Sequence, residues 1–188
     1  MNLQAINSVD TFLECWRWID SPVGPILLRS HGEMATGIFL KDQQYFPKLA
    51  PTIDQSLGEK NCCDVLPQLE AELLEYFSGS RKEFSTEFGL IGTEFQCAVW
   101  HQLQWIPFGQ TSTYGQIAEQ LGKSNSSRAV GAAIGKNPLS IVLPCHRVVG
   151  KSGALTGYAG GLDRKRWLLD FERGGLETSL LQQSFAFA

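Results

Sequence analysis

The chain has 188 residues, 43% of them hydrophobic and 19% charged, with a formal net charge of −3. These values fit one large or two small globular domains and exclude a low-complexity or highly charged disordered chain. No apolar run approaches the length of a membrane span, and the opening MNLQAINSVD has neither the basic start nor the apolar core of a secretory leader, so no membrane partner and a cytoplasmic or nuclear location are expected.

The cysteines, Cys15, Cys62, Cys63, Cys97 and Cys145, are odd in number and irregularly spaced, without a C-x-x-C pair. They imply free thiols in a reducing compartment rather than a disulfide framework or a zinc ribbon, and the adjacent pair Cys62 and Cys63 is poorly placed for a disulfide. The three histidines are too scattered to suggest a metal site. Charge is divided along the chain. Residues 113–173 hold nine Lys/Arg against four Asp/Glu, a local excess of five positive charges in a chain that is acidic overall. A solvated face accounts for such a run as readily as an anionic partner does.

In chain order, CWRWID, PILLRSH and TGIFLKD are short and rich in apolar and aromatic residues. SPVG and HGEM separate them, which predicts three strands in an antiparallel meander. QQYFPKLAPTIDQSLGEKN reads as a loop. LPQLEAELLEYFSG (66–79) reads as a helix with Leu66, Leu69, Leu73, Leu74 and Phe77 at helical spacing and Gly79 at its end. RKEFSTEFGLIG reads as a strand or linker, with a boundary near 89–92. TEFQCAVWHQLQWIPFG (93–109) opens on a capping box, Thr93 and Gln96, and is expected to run to Pro107 and Gly109; Cys97 on it reads as packing.

A second capping box, Thr113 and Gln116, starts TYGQIAEQLG, which Gly122 closes. After the turn KSNS, with Asn125 or Ser126 as N-cap, a further helix runs to about Gly135 with Val130, Ala133 and Ile134 inward. The pair forms a helix-turn-helix pattern, although many such hairpins bind nothing. LSIVLP reads as a short buried run with Leu143 extended before Pro144. GKSGALTGYAGG is a glycine-rich loop, DRKRWLLDFERGG (163–175) is a helix, and 176–188 is a tail.

A helix that reads base edges in the major groove carries long polar side chains. SSRAVGAAIG has one, Arg128, among Ser126, Ser127, Ala129, Gly131, Ala132, Ala133 and Gly135. Residue by residue, such small side chains more often mean close helix packing. Together they also suit a smooth helix that enters a groove without reading sequence and inserts Arg128 into the base stack.

IVLPCHRVVG places Cys145 directly before His146. A lone cysteine in an apolar run is most often a core residue. As a nucleophile it would react as thiolate, and an ordinary thiol, with a pKa of roughly 8.5, needs help from a base to ionise at neutral pH. In extended chain the two side chains point to opposite faces, so contact requires a turn or a bridging water. The base in turn needs an orienting group, generally a carboxylate. Glu172 is one of four acids in the basic stretch, and spacing alone does not choose among them.

PCHRV (144–148), with TYGQIAEQLG, SRAVGAAIGKNP, TGYAGGLDRKRWLL and a following FE in the same order, resembles the alkylguanine-DNA alkyltransferases, also called methylated-DNA–protein-cysteine methyltransferases. The resemblance covers residues 92–173 closely and 15–90 in outline. It implies an α/β N-terminal domain of ribonuclease-H-like shape (antiparallel sheet plus helix, 1–90), then a mostly α domain with the helix-turn-helix (91–175) and a tail (176–188). It implies a DNA repair protein that accepts an alkyl group from O6-alkylguanine onto its own cysteine, once and irreversibly, after the nucleotide is flipped out of the duplex.

Under the same resemblance Cys145 is the acceptor, ionised and reachable from a purine-sized cavity. His146, through a water and backed by Glu172, is the relay that makes the thiolate. Asn137 braces the hairpin helix against the active-site turn. Tyr114 guides the phosphate and protonates the leaving guanine, and Arg128 fills the gap left by the base. Tyr158 and Ala159 wall the pocket, with backbone groups near Cys145 and Val148 reading the base. Ser126, Ser127, Arg128, Ala129 and Gly131 face DNA.

Lys165 is a weaker candidate for pocket polarity and reads more readily as an ordinary surface lysine. Ser126 and Ser127 replace alanines common in the family, and Ala159 replaces a serine that some members use on the lesion oxygen. The zinc ligands of some vertebrate members are not recognisable, so no metal and no cofactor are expected. The implied partner is double-stranded DNA, bound through the minor groove without sequence specificity by a monomer. Two rivals are a non-catalytic DNA-binding protein, disfavoured by the intact Cys145, and a cysteine hydrolase of acyl groups, which leaves Arg128 and the hairpin unexplained.

Overall fold

The computed structural model describes residues 2–5, 14–48 and 64–174. Three strands, β2 (Glu14–Ile19), β3 (Ile26–His31) and β4 (Met34–Leu40), form the expected antiparallel meander. Only two residues, Gly32 and Glu33, separate β3 from β4. Gly32 adopts φ 55°, the positive value that hairpin turns of this length require.

The sheet is mixed rather than purely antiparallel. β5 (Glu87–Leu90) lies parallel to both β4 and β1 (Asn2–Ala5), giving the order β1-β5-β4-β3-β2. A parallel partner needs a crossover, and α1 (Val65–Phe77) belongs to that connection and packs on β3 and β4. Its apolar stripe buries Leu66, Leu69, Leu73 and Phe77. On the same helix Glu72 is buried and accepts hydrogen bonds from the backbone N–H groups of Ser85 (3.0 Å) and Thr86 (3.2 Å), which fixes the start of β5.

The second half is mostly helical. Helix α2 (Glu94–Leu103) and helix α3 (Tyr114–Gln120) each open on the expected capping box, Thr93 with Gln96 and Thr113 with Gln116. Helix α2 ends at Leu103, well before Pro107. Trp105 and Ile106 already donate to carbonyls three residues back, the tightened geometry of a closing turn. Gly122 (φ 68°) ends the α3 segment, and Lys123 N–H returns to Ala118 O at 2.8 Å.

Ser126 is the N-cap of α4 (Ser127–Gly135), without a side-chain cap bond. Val130, Ala133 and Ile134 are buried as the spacing predicts, and the Trp100 indole N–H donates to Ala133 O (2.9 Å), locking α2 to α4. A two-strand parallel ribbon, β6 (Ser112–Thr113) with β7 (Val148–Val149), and α5 (Leu162–Glu172) complete the half. One hydrophobic cluster runs from the sheet through α1 into all these helices. Among the described residues no helix is long and apolar enough to cross a membrane. The tail, Cys62 and Cys63, and most of the loop after Lys48 lie outside the described residues.

Candidate active site

The segment before Cys145 is a buried turn, not an extended run. Ile38 N–H donates to Pro138 O (2.8 Å) and Ser140 N–H returns to Ile38 O (3.2 Å), so this turn docks on β4. Ile141 is held at φ 74°, an uncommon conformation for a β-branched residue, inside a buried hydrogen-bonded frame. Asn137 supplies that frame. Its carbonyl oxygen accepts from Leu139 N–H (3.0 Å), and its amide donates to Leu143 O (2.8 Å) and to Cys145 Sγ (3.1 Å). The signature CHR itself forms a single 3-10 turn, Cys145–Arg147, rather than extended chain.

Behind this turn lies a buried ionic cluster centred on Glu172. Glu172 Oε1 accepts from Tyr76 Oη (2.7 Å), His146 Nε2 (2.9 Å) and Arg147 Nη2 (2.8 Å). Oε2 accepts from Arg147 Nε (2.8 Å) and the Gly109 N–H (3.1 Å). Burial alone would raise this carboxyl, but the hydrogen bonds and charges of His146 and Arg147 hold it far below the usual range, so it is ionised. An ionised carboxylate only accepts, so the proton on His146 sits on Nε2 and Nδ1 carries the lone pair. Nδ1 has no protein hydrogen-bond partner among the described residues. Burial keeps the imidazole neutral, opposed by Glu172 and aided by Arg147 and Lys165.

Arg147 and Tyr76 were not singled out from sequence. Arg147 makes a bidentate pair with Glu172 and also donates to Ile106 O (2.6 Å). Its position inside CHRV, one residue from the cysteine–histidine pair, was the available signal. Tyr76 comes from α1 in the other half of the chain, and nothing local in the sequence pointed to it.

Burial raises the Cys145 thiol above its ordinary value, with the Asn137 amide, the Lys165 charge and nearby backbone N–H groups acting in the opposite direction. Burial thus pushes the resting sulfur toward its protonated form, and a thiolate there depends on the groups around it. The reading of Lys165 as a surface residue is corrected. It is 0% exposed, and its ammonium donates to Val148 O (2.6 Å), Thr156 O (2.7 Å) and Gly157 O (3.1 Å), tying the glycine-rich loop to the strand after Cys145. Burial lowers it to about 8, opposed by Cys145. The signal was present: Lys165, Leu168, Leu169 and Glu172 fall at i, i+3, i+4 and i+7 on α5, one buried face.

Cys145 opens onto a cavity of about 190 Å³, lined also by Gln44, Tyr45, Tyr114, Ile134, Tyr158 and Ala159. A ~150 Å³ apolar cavity already admits benzene, so this space suits a planar heterocycle. A Cβ at Gly160 would lie 2.5 Å from the Leu40 side chain and 2.7 Å from the Tyr158 ring, so a larger residue there would have to displace one of them. Tyr114 donates to Thr156 O (3.1 Å), and burial raises its phenol so that it keeps its proton.

Of the expected site residues, Cys145, Tyr114, Gly131, Tyr158 and Ala159 line the cavity. His146 and Glu172 lie behind the sulfur, and Val148 is buried beside Lys165. Arg128 and Ala129 are on the exposed face of α4, with Ser126 and Ser127 partly exposed at its start. Among the described residues no group of three or more His, Cys, Asp or Glu could hold a metal ion.

A buried thiol on a cavity the size of a heterocyclic ring, with a histidine–carboxylate pair beside it in sequence and fold, sits in a helical half appended to a mixed sheet. Family models place the chain further. Residues 15–90 match the ribonuclease-like domain of 6-O-methylguanine DNA methyltransferase, and residues 94–174 match its DNA-binding domain. The methylated-DNA–protein-cysteine methyltransferase of Mycobacterium leprae is 44% identical over 164 residues, 87% of this chain and 95% of the relative. That of Methanosarcina acetivorans is 44% identical over 154 residues, 81% and 94%. The crystal structure of the Mycobacterium tuberculosis OGT in complex with DNA superposes with a TM-score of 0.76 at 41% identity, covering 88% of this chain and 97% of that one. The chain belongs to the methylated-DNA–protein-cysteine methyltransferase family.

Proposed function

We propose that this protein repairs O6-alkylguanine in double-stranded DNA by moving the alkyl group to Cys145 in one irreversible turnover, acting as a monomer on the minor groove without sequence specificity. The carrying observation is the Cys145 sulfur on a heterocycle-sized cavity with the His146–Glu172 pair behind it. The alkyl carbon is hidden in the duplex, so the nucleotide must leave the stack, at a cost of a few kcal/mol. The exposed Arg128 on a helix of small residues occupies the gap, and Ser126, Ser127, Ala129 and Gly131 let the α4 backbone approach the groove.

With the base in the cavity, the thiol proton passes to His146 Nδ1 through a water, and Glu172 stabilises the imidazolium. Asn137 and Lys165 stabilise the thiolate as it forms. Sulfur attacks the alkyl carbon, the S–C bond forms as the C–O6 bond breaks, and Tyr114 gives the departing guanine its proton. Tyr158, Ala159 and the backbone near Val148 hold the base. The product is a thioether with no good leaving group, so the protein does not recycle. Residues 1–90 form the N-terminal α/β domain and 91–175 the DNA-binding and alkyl-acceptor domain, within the cell's cytoplasm or nucleus.

The test is incubation with duplex DNA bearing O6-methylguanine, followed by peptide mass spectrometry. One methyl group on the Cys145 peptide is expected, and Cys145→Ala should bind the same DNA without transfer. Binding by the unaltered chain without any methylated peptide would favour a non-catalytic lesion binder instead.

A further inference from the structure

The helical half does not build the cavity over Cys145 alone. Gln44 and Tyr45, from the turn after β4, complete its wall. That turn is fixed from several sides. Gln44 N–H donates to Ala159 O (2.8 Å), joining it to the glycine-rich loop, and Phe46 N–H donates to Gln43 O (3.1 Å). The Gln43 side chain accepts from Leu40 N–H (2.8 Å), and Phe46 stacks on Trp18 at 5.9 Å. Within this frame Tyr45 adopts φ 63°, a left-handed conformation that a bulky side chain seldom takes.

The strained residue is not a core anchor, since Tyr45 is 56% exposed. Strain that gains no burial is characteristic of a side chain held in place for a ligand. The ring is steadied by Lys136, at the end of α4, whose ammonium lies 5.8 Å from the ring centre. The pair bridges the sheet half and the helical half at the rim of the cavity.

We propose that Tyr45 is a specificity-determining residue whose ring closes the mouth of the cavity and limits the size of alkyl group carried in with the guanine. The inference rests on the reading of the cavity as the O6-alkylguanine site. The base and its substituent share about 190 Å³, so a larger substituent must displace a wall. Gly131, Ala132, Gly135 and Gly157 contribute little side chain to the lining. Tyr45, more than half exposed, is a large side chain of that lining outside the Cys145 turn, so a substitution removes its ring without touching the sulfur.

The experiment compares single-turnover rates of transfer from duplexes bearing O6-methylguanine or O6-benzylguanine, using the full chain, Tyr45→Gly and Tyr45→Phe. Glycine accepts the left-handed backbone without strain, so the turn is preserved as the ring is lost; circular dichroism melting checks the fold. The benzyl-to-methyl rate ratio should rise on the order of tenfold or more in Tyr45→Gly and stay unchanged in Tyr45→Phe. An unchanged ratio in a folded Tyr45→Gly, or an equal fall in both rates, would overturn the proposal. Failure of the unaltered protein to take methyl from the methylated duplex is a different result and would defeat the underlying reading.

Discussion

At the scale of single residues, the proposed transfer needs Cys145 as a thiolate. Burial raises Cys145, and the Lys165 charge acts against that. Reaction of Cys145 with a small probe such as iodoacetamide should therefore keep climbing beyond the ordinary thiol range of ~8.5. Rates of carboxamidomethylation of the Cys145 peptide, measured from pH 6 to about 10, check this, and a plateau at or below neutral would contradict it.

Cys145, His146 and Glu172 were legible in the sequence because motif and family order carry them. Lys165 was misread because a lysine is ordinarily a surface residue, and its three carbonyl acceptors come from residues 148, 156 and 157, which no periodicity brings together. Arg147 was overlooked for a related reason: its role is defined by a residue 25 positions away.

At the scale of elements, α1 and α5 meet at the buried carboxylate. Glu172→Gln leaves the Arg147 guanidinium without its countercharge and should destabilise the fold by about 3–5 kcal/mol at neutral pH. Tyr76→Phe removes one hydrogen bond to a charged group and should cost about 1.5–3 kcal/mol. Urea unfolding checks both, and a change below about 0.5 kcal/mol, the range of ordinary surface substitutions, in either would contradict the account.

The pH dependence follows from the direction of the Glu172 shift. Its folded value lies below the unfolded one, so its contribution is fully present above ~4.3, the ordinary glutamate range, and is lost as pH falls below it. The stability gap between the native chain and Glu172→Gln should narrow on acidification, and a gap that widens would reverse the sign. The helices and both capping boxes were readable from local spacing. The parallel seat of β5 and the docked turn before Cys145 were not, since each is set by a distant partner, Ala35 for β5 and Ile38 for the turn.

At the scale of the whole molecule, an acidic chain carries its positive excess in residues 113–173, the part that holds α4, the cavity and Cys145. Binding to undamaged duplex should therefore weaken steeply with salt. Arg128→Ala should lower the rate of transfer from duplex while leaving reaction with the free alkylated base unchanged, as single-turnover assays on the two substrates would show. An equal loss on both would place Arg128 in the chemistry rather than in extrusion. The charge division was visible in the sequence, but only the fold shows that Arg147, Arg164 and Lys165 spend their charge on internal acceptors.

The most direct measurement follows label from a tritiated alkyl group in duplex DNA at large molar excess over the protein. The account predicts that label on protein rises to one equivalent per chain, all of it in the peptide containing Cys145, and then stops. Continued release of free alkyl product, or label on another residue, would contradict it.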